Sequence, residues 1–351
     1  MAKNGPVRLG LVGLGNFSAA VGGAVQRSQK ARLVTCFDVV PERRKAGSEK
    51  YGIDQERNYE DILKRKDVDG VLLVTPNAFH CEQAVLAAQY GKHVYVEKPI
   101  ANTIADGKKM IEACKKAGVT LMVGHVMRRH AGNRKLKDLI DQGAIGKPVM
   151  VEANLSSNQG FELTPDQFRW RGDDSGCPAG ALMTMGIHAV DIFNHIFGPI
   201  DKVFAYFKKL YIPAEVEDVH TVVFQFRSGI LGYLGSNFAS PRINWIRVYG
   251  TEANLSRITL RPDRPFAEAM KLTSKSDIYT RLELFAKGKD QAVEIPLPQG
   301  DPILEEMDEF AHCIQTGSRP ETDGEAGLAA LAFIRAAIES ARTGKEVKLE
   351  A

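Results

Sequence analysis

The apolar positions in the first third of the chain come in short unbroken runs. Val7 to Val12, Arg32 to Asp38, Gly70 to Thr75, His93 to Glu97 and Thr120 to Gly124 each read as a strand covered on both faces. Helical segments separate them. Ala19 to Gln26 and Glu42 to Tyr51 have helical composition, and Asn77 is placed to open a helix with Cys81, Ala84, Val85 and Ala88 on one face. Thr103 and Asp106 form a capping box for a helix that runs through Ala117 and stops at Gly118. This alternation predicts βαβ units around a parallel sheet. The pattern changes after about residue 145. Strand-like runs (Val149–Leu155, Lys202–Lys208, His220–Phe226, Ile230–Phe238, Trp245–Tyr249, Ala292–Ile295) are joined mainly by Gly, Pro and Ser turns. That predicts a mostly antiparallel sheet. Two helices close the chain. One is opened by Asp301-Pro302 and carries Ile303, Met307, Phe310 and Ile314 on one face; the other is Ala-rich, from Glu325 to Arg342.

The length, 351 residues, fits two domains at about 150 residues each. The change of pattern puts them at 1–124 and 125–351. Net charge is +3, too balanced for a nucleic-acid groove or a membrane-surface patch. No apolar run is long enough to span a bilayer. Lys3 and Arg8 before the apolar stretch Leu9 to Val25 imitate a secretory leader, but Gly10, Gly13 and Gly15 would break its helix. Five scattered cysteines, without a C-x-x-C pair or a histidine at ligand spacing, argue against a disulfide framework or a metal site and fit a reducing cytoplasm.

Three motifs carry chemistry. Gly10-Leu-Val-Gly13-Leu-Gly15-Asn-Phe-Ser18 joins the first strand to the first helix. Gly13 permits a tight turn, and Gly15 lets backbone approach a pyrophosphate at the helix N-terminus. The third position is Ser18 rather than Gly or Ala. Asp38, 20 residues past Ser18, stands where an acid holds a ribose diol. An acid there favours NAD, while the nearby Arg43 and Arg44 leave NADP possible. These features make the first domain a Rossmann dinucleotide-binding unit, and the mostly antiparallel sheet with its helices makes the second an α+β domain.

Glu97-Lys98-Pro99 closes the fourth strand, where residues face the ligand crevice at the sheet's carboxyl edge; a lysine before a proline is, taken alone, more often a solvated loop residue. A lysine there can polarise a substrate oxygen, and the X-Pro bond is open to the cis form. Between Cys177 and Gly198, a uniform helix places Thr184, His188, Asp191 and His195 within an arc of roughly 60°. The rest of that helix is almost wholly apolar, which predicts a buried helix with a polar seam lining a pocket. His188 suits a general base for a hydroxyl proton, with Asp191 or Thr184 to orient it; two satisfied core histidines are the bland alternative.

These residues resemble the glucose–fructose oxidoreductase / inositol dehydrogenase / rhizopine-catabolism (Gfo/Idh/MocA) oxidoreductases along essentially the whole chain. The resemblance rests on the glycine turn, Thr75-Pro76-Asn77 with His80, Gly91-Lys92-His93-Val94 before Glu97-Lys98-Pro99, Trp170-Arg171, Gly186-x-His188-x-x-Asp191 and Asp308-Glu309-Phe310. It implies hydride transfer between a nicotinamide cofactor and a carbinol or ketone carbon of a sugar, cyclitol or sugar nucleotide. It also implies that the second, α+β domain has an open, mostly antiparallel sheet through which a homodimer or homotetramer is built. Lys98 and His188 match the family's usual catalytic pair. Gly13, Gly15, Asn16 and Phe17 are expected at the pyrophosphate, and Thr75, Pro76, Asn77, His80, Glu97 and Lys98 on the nicotinamide side. Lys98, Arg171, Thr184, His188 and Asn154 are expected to meet substrate, as are Tyr233, Asn237 and Arg242. Thr184 replaces the family's usual Asp, and Pro178-Ala179-Gly180 its glycine triplet. Two other readings stay open at this point: a non-catalytic nucleotide-binding regulator of the same fold, and a reductase of a non-carbohydrate substrate.

Overall fold

The computed structural model describes residues 5–162, 171–260 and 279–350. The chain forms two compact units, Met1–Val126 with Asp301–Leu328, and Met127–Gly300 with Ala329–Ala351. The first holds a six-stranded, wholly parallel sheet. Its elements are β1 (Val7–Val12), α1 (Ser18–Arg27), β2 (Ala31–Phe37), α2 (Pro41–Tyr51), β3 (Asp54–Gln55), α3 (Tyr59–Lys64), β4 (Gly70–Leu73), α4 (His80–Gln89), β5 (His93–Glu97), α5 (Ile104–Ala117) and β6 (Leu121–Gly124). The strand order is β3-β2-β1-β4-β5-β6, so the direction of travel reverses between β1 and β4. A ligand crevice opens at such a switch point, beyond the carboxyl ends of the strands.

The apolar runs behave as their composition requires. Leu9, Leu11, Val71, Leu72, Val94, Val96, Met122 and Val123 are all buried. Thr103 Oγ1 accepts the Asp106 N–H at 3.1 Å, and Gly118 closes α5 at φ +66°. Asn77 does not cap α4. After Pro76 the chain makes a 3₁₀ turn, Asn77–Phe79, α4 begins at His80 without a side-chain cap, and the Asn77 side chain is buried.

The second unit holds α6 (Ala131–Asp141), β7 (Pro148–Ser156), a turn of π-helix at Leu182–Gly186, α7 (Ile187–Phe197), β8 (Ile200–Lys208), β9 (Val219–Phe226), β10 (Leu231–Asn237), β11 (Ile243–Gly250), β12 (Ala253–Thr259), β13 (Thr280–Ala286) and β14 (Val293–Glu294). With β15 (Val347–Lys348) these strands form one sheet, ordered β14-β13-β12-β11-β7-β10-β9-β8-β15. Only β7 and β10 run parallel among its neighbouring pairs. Val151, Ala153, Val222, Phe224 and Leu234 bury one face, while Tyr206, Val223, Leu231 and Phe285 lie exposed on the other.

α8 (Pro302–Thr316) follows the second sheet in sequence but is grouped with the first unit. The reason is its apolar face. Ile303, Met307 and Phe310 are buried, the Phe310 ring lies 6.0 Å from that of Tyr95 on β5, and Asp301 pairs with Arg27 of α1 at 2.5 Å. The final helix, α9, spans Gly324–Thr343. Among the described residues no helix is long and apolar enough to cross a membrane.

Candidate active site

The glycine turn sits at the switch point. Gly13 has φ +85°, and a Cβ there would lie 2.6 Å from the Val74 carbonyl oxygen on the neighbouring strand end. Only glycine tolerates both the angle and the approach. A Cβ on Gly15 would meet nothing within 4 Å, so this side of the turn is open to a ligand. Asn16 is exposed and Phe17 half-buried beside it. No side chain caps α1; the Ser18 and Ala20 N–H groups donate to the Gly15 and Phe17 carbonyls at 3.2 and 3.0 Å. Ser18, the irregular third position, is buried and donates its hydroxyl to the Gly15 carbonyl at 2.6 Å.

Asp38 is buried at the end of β2. Its carboxylate accepts the Leu14 N–H at 2.7 Å and the Val40 N–H at 2.9 Å, and Arg43 Nη1 lies 3.9 Å away. A carboxylate offers about four lone pairs. Two backbone donors therefore leave capacity for the hydroxyls of a ribose. Asn77 supplies a second sign of an absent partner: its side-chain nitrogen is buried without a hydrogen-bond acceptor. An orphaned buried donor costs about 1–3 kcal/mol, which a cofactor oxygen would offset. The residues present thus fit a dinucleotide.

The other first-unit candidates are tied to the protein itself. The Thr75 hydroxyl donates to Gln83 Oε1 at 2.6 Å. His80 is fully buried, with Nδ1 at 2.9 Å from the Pro99 carbonyl and Nε2 at 2.9 Å from the Thr75 carbonyl; burial lowers its pKa. It braces the loops after β4 and β5 against each other. The neutral ring has one N–H and donates to one of these two carbonyls, according to its tautomer. Lys98 is half-buried, and the Lys98-Pro99 bond is cis. Glu97 is buried and accepts the Tyr95 hydroxyl at 2.8 Å, and burial pushes its carboxyl up to about 7.

In the second unit, the helix expected from Cys177 onward begins at Gly180 and takes the π turn at Leu182–Gly186 before α7. Ala179 just before it sits at φ +59°, a conformation costing an alanine roughly 1–2 kcal/mol that glycine would avoid. The wider turn corrects the uniform-helix seam. Thr184 lies within it, so a constant 100° step no longer relates Thr184 to His188. The Thr184 hydroxyl donates to the Gly180 carbonyl at 2.9 Å. His188 is half-buried on α7. Asp191, one turn on, is held from both oxygens by Arg128, with Nε at 3.0 Å and Nη2 at 2.5 Å, and both residues are buried. Its anchor is therefore Arg128, 63 positions earlier, a partner that motif spacing does not reveal. Arg171 is half-buried, and burial lowers its pKa. Trp170 lies outside the described residues.

Asn154 lies on β7. It accepts the Ser156 hydroxyl at 2.5 Å and stands on the sheet face shared with Tyr233 and Gly235. Ser236, alternating with Gly235, donates to Ala181 in the turn before the π-helix. Strand alternation thus turns Asn154 away from the face on which the His188 helix packs.

The first unit is a dinucleotide-binding fold with its crevice at the β1/β4 switch. Residues 7–125 match the family described as "Oxidoreductase family, NAD-binding Rossmann fold", and residues 133–256 match the "GFO/IDH/MocA C-terminal domain". The chain belongs to the Gfo/Idh/MocA family and is an NAD(P)-dependent oxidoreductase. It is 30% identical to D-xylose 1-dehydrogenase [NADP(+)] of Haloarcula marismortui, over 80% of this chain and 75% of that protein. It is 29% identical to myo-inositol 2-dehydrogenase of Thermotoga maritima, over 98% and 99%. The WlbA dehydrogenase of Bordetella pertussis, solved with NADH and UDP-GlcNAcA, superposes with a TM-score of 0.83 at 30% identity, covering 99% of each chain.

Proposed function

We propose that the chain oxidises or reduces a secondary alcohol or ketone carbon of a sugar, cyclitol or sugar nucleotide, with Lys98 and His188 at the reacting oxygen. Bound nicotinamide would supply or accept the hydride at C4. Gly13, Gly15, Asn16 and Phe17 hold the pyrophosphate, Asp38 the adenosine ribose, and Pro76, Asn77 and Glu97 flank the nicotinamide side. The Lys98 ammonium steadies the substrate oxygen as charge develops on it, and His188 takes or returns its proton. Arg171 and Thr184 contact substrate, Thr184 as an acceptor, since its own proton goes to Gly180. The observation that carries this reading is that both a strand-end lysine and a helix histidine are retained. A protein that only senses nucleotide has no need of a proton acceptor.

A screen of polyols, aldoses and uridine-diphosphate sugars with NAD or NADP, followed at the NADH absorbance, tests it. Turnover with at least one of these compounds is expected. Cofactor binding without turnover on any would instead favour the regulator reading, which the loss of a carboxylate at Thr184 keeps in view.

Asp38→Ala is expected to weaken NAD by about 10–100-fold, the value of a hydrogen bond to a charged group, and NADP much less. Titration of protein fluorescence with each nucleotide measures this, and equal weakening of the two contradicts the ribose assignment. The exposed apolar sheet face bearing Tyr206, Val223, Leu231 and Phe285 is read as the contact with a second copy, giving a dimer or tetramer.

A further inference from the structure

Behind Lys98 lies a buried cluster of which only Glu97 enters the proposed cofactor contacts. The Tyr95 hydroxyl stands between two carboxyls, 2.8 Å from Glu97 Oε1 and 2.9 Å from Glu306 Oε2. Tyr95 and Glu306 are 0% exposed and Glu97 8%. Three backbone elements contribute to the arrangement. Tyr95 and Glu97 alternate on β5, Glu306 comes from α8, and β6 passes alongside with Gly124 in register with Glu97. A Cβ on Gly124 would fall 2.5 Å from the Tyr95 hydroxyl oxygen and 2.8 Å from Glu97 Oε1. Glycine at that point leaves the room in which phenol and carboxyl meet.

A phenol carries one hydrogen and can donate to one carboxylate only. For both short contacts to be hydrogen bonds, one carboxyl must bring a proton of its own. We propose that Glu97, Tyr95 and Glu306 form a buried proton relay that shares this extra proton and sets the charge beside Lys98; it rests on the reading of Lys98 as the cation at the reacting oxygen. In one form Glu306 donates to Tyr95, Tyr95 donates to Glu97, and the ionised Glu97 is the counter-ion of Lys98. In the other, the Glu306 proton has passed to Tyr95 and the Tyr95 proton to Glu97. The negative charge then sits on Glu306, and Lys98 directs its full charge at the substrate oxygen. No proton enters or leaves and no heavy atom has to move. Tyr95 and Glu306 are positioning residues, acting through Glu97.

The charged neighbours agree with this. On its own strand Glu97 is faced by Tyr95 and Lys98, α8 adds Glu306, and β6 offers Gly124 at this level, with His125 next along the chain. Burial raises Glu97 and Lys98 opposes that rise, while burial and both glutamates hold the Tyr95 phenol well above its ordinary range, so it remains protonated and able to relay.

Infrared spectra of the full chain without cofactor test the relay directly. At a pH well above 7, where a lone Glu97 carboxyl would be ionised, the wild type is expected to show a carboxylic-acid carbonyl band that is absent in both Glu97→Gln and Glu306→Gln. Each replacement leaves a single carboxyl, which accepts the Tyr95 hydrogen and stays ionised. A wild-type spectrum with no band that these replacements remove overturns the relay, whatever the turnover. Should Glu306→Gln fail to fold, Glu97→Gln reads the same band. With a substrate in hand, Tyr95→Phe is expected to move the acidic limb of the kcat/KM pH profile by about one pH unit. A lower rate on an unmoved profile would make Tyr95 merely structural and also overturn the relay. Absence of turnover on every sugar bears on the dehydrogenase reading alone, because the infrared band needs no substrate.

Discussion

Replacing His188 by alanine is expected to lower turnover about 10²–10⁴-fold, the usual size of a general acid–base contribution. Cofactor affinity should stay within a few-fold, because no atom of His188 is assigned to the dinucleotide. Initial rates and nucleotide titrations on the same preparation separate the two quantities. His188→Gln makes a useful companion, since it keeps a polar side chain on α7 but cannot accept a proton near neutral pH. If either variant turned over at the wild-type rate, the proton would have to leave by another group, and Lys98 would be the first to examine.

The second large effect concerns folding. Arg128 and Asp191 face each other with 7% and 2% of their side chains exposed, in a two-pronged contact. Removing one partner of such a pair strands a charge away from water, at a cost of about 3–5 kcal/mol. Arg128→Met or Asp191→Leu alone should therefore unfold at markedly lower denaturant. The double replacement should recover much of the loss, because apolar residues of similar volume often substitute for a buried pair. Denaturant titrations followed by circular dichroism measure all three. Near-additive losses in the double variant would show that the two side chains do not depend on each other.

Much of the architecture could be read from the chain because local chemistry and tertiary context agree. A strand buried on both faces must be apolar throughout, so β1, β4 and β5 are written plainly, and Thr103 caps α5 by its own side chain. β12 escaped for the opposite reason. Its inward positions are Ala253, Leu255, Arg257 and Thr259, and the buried arginine, bonded to Asn244 and Thr259, breaks the apolar alternation. β3 has two residues and β13 alternates weakly, so neither shows a period.

Among the candidate site residues, residue types were legible and partners were not. Asp38 and Glu97 stood out by their place at strand ends. That Asp38 is held by Leu14, that Asp191 answers to Arg128, or that Glu97 shares a phenol with α8 depends on contacts between distant segments. The π turn is likewise invisible, because Leu182–Gly186 reads as ordinary helix.

The two backbone amides that grip Asp38 have a kinetic meaning. An oxidoreductase that exchanges its nucleotide on each cycle gains when the arriving ribose finds its acceptor already aimed. Leu14 and Val40 fix that rotamer as the chain folds, so little side-chain freedom remains to be lost on association. On the proposed ribose assignment, the acid is a socket set before the nucleotide arrives.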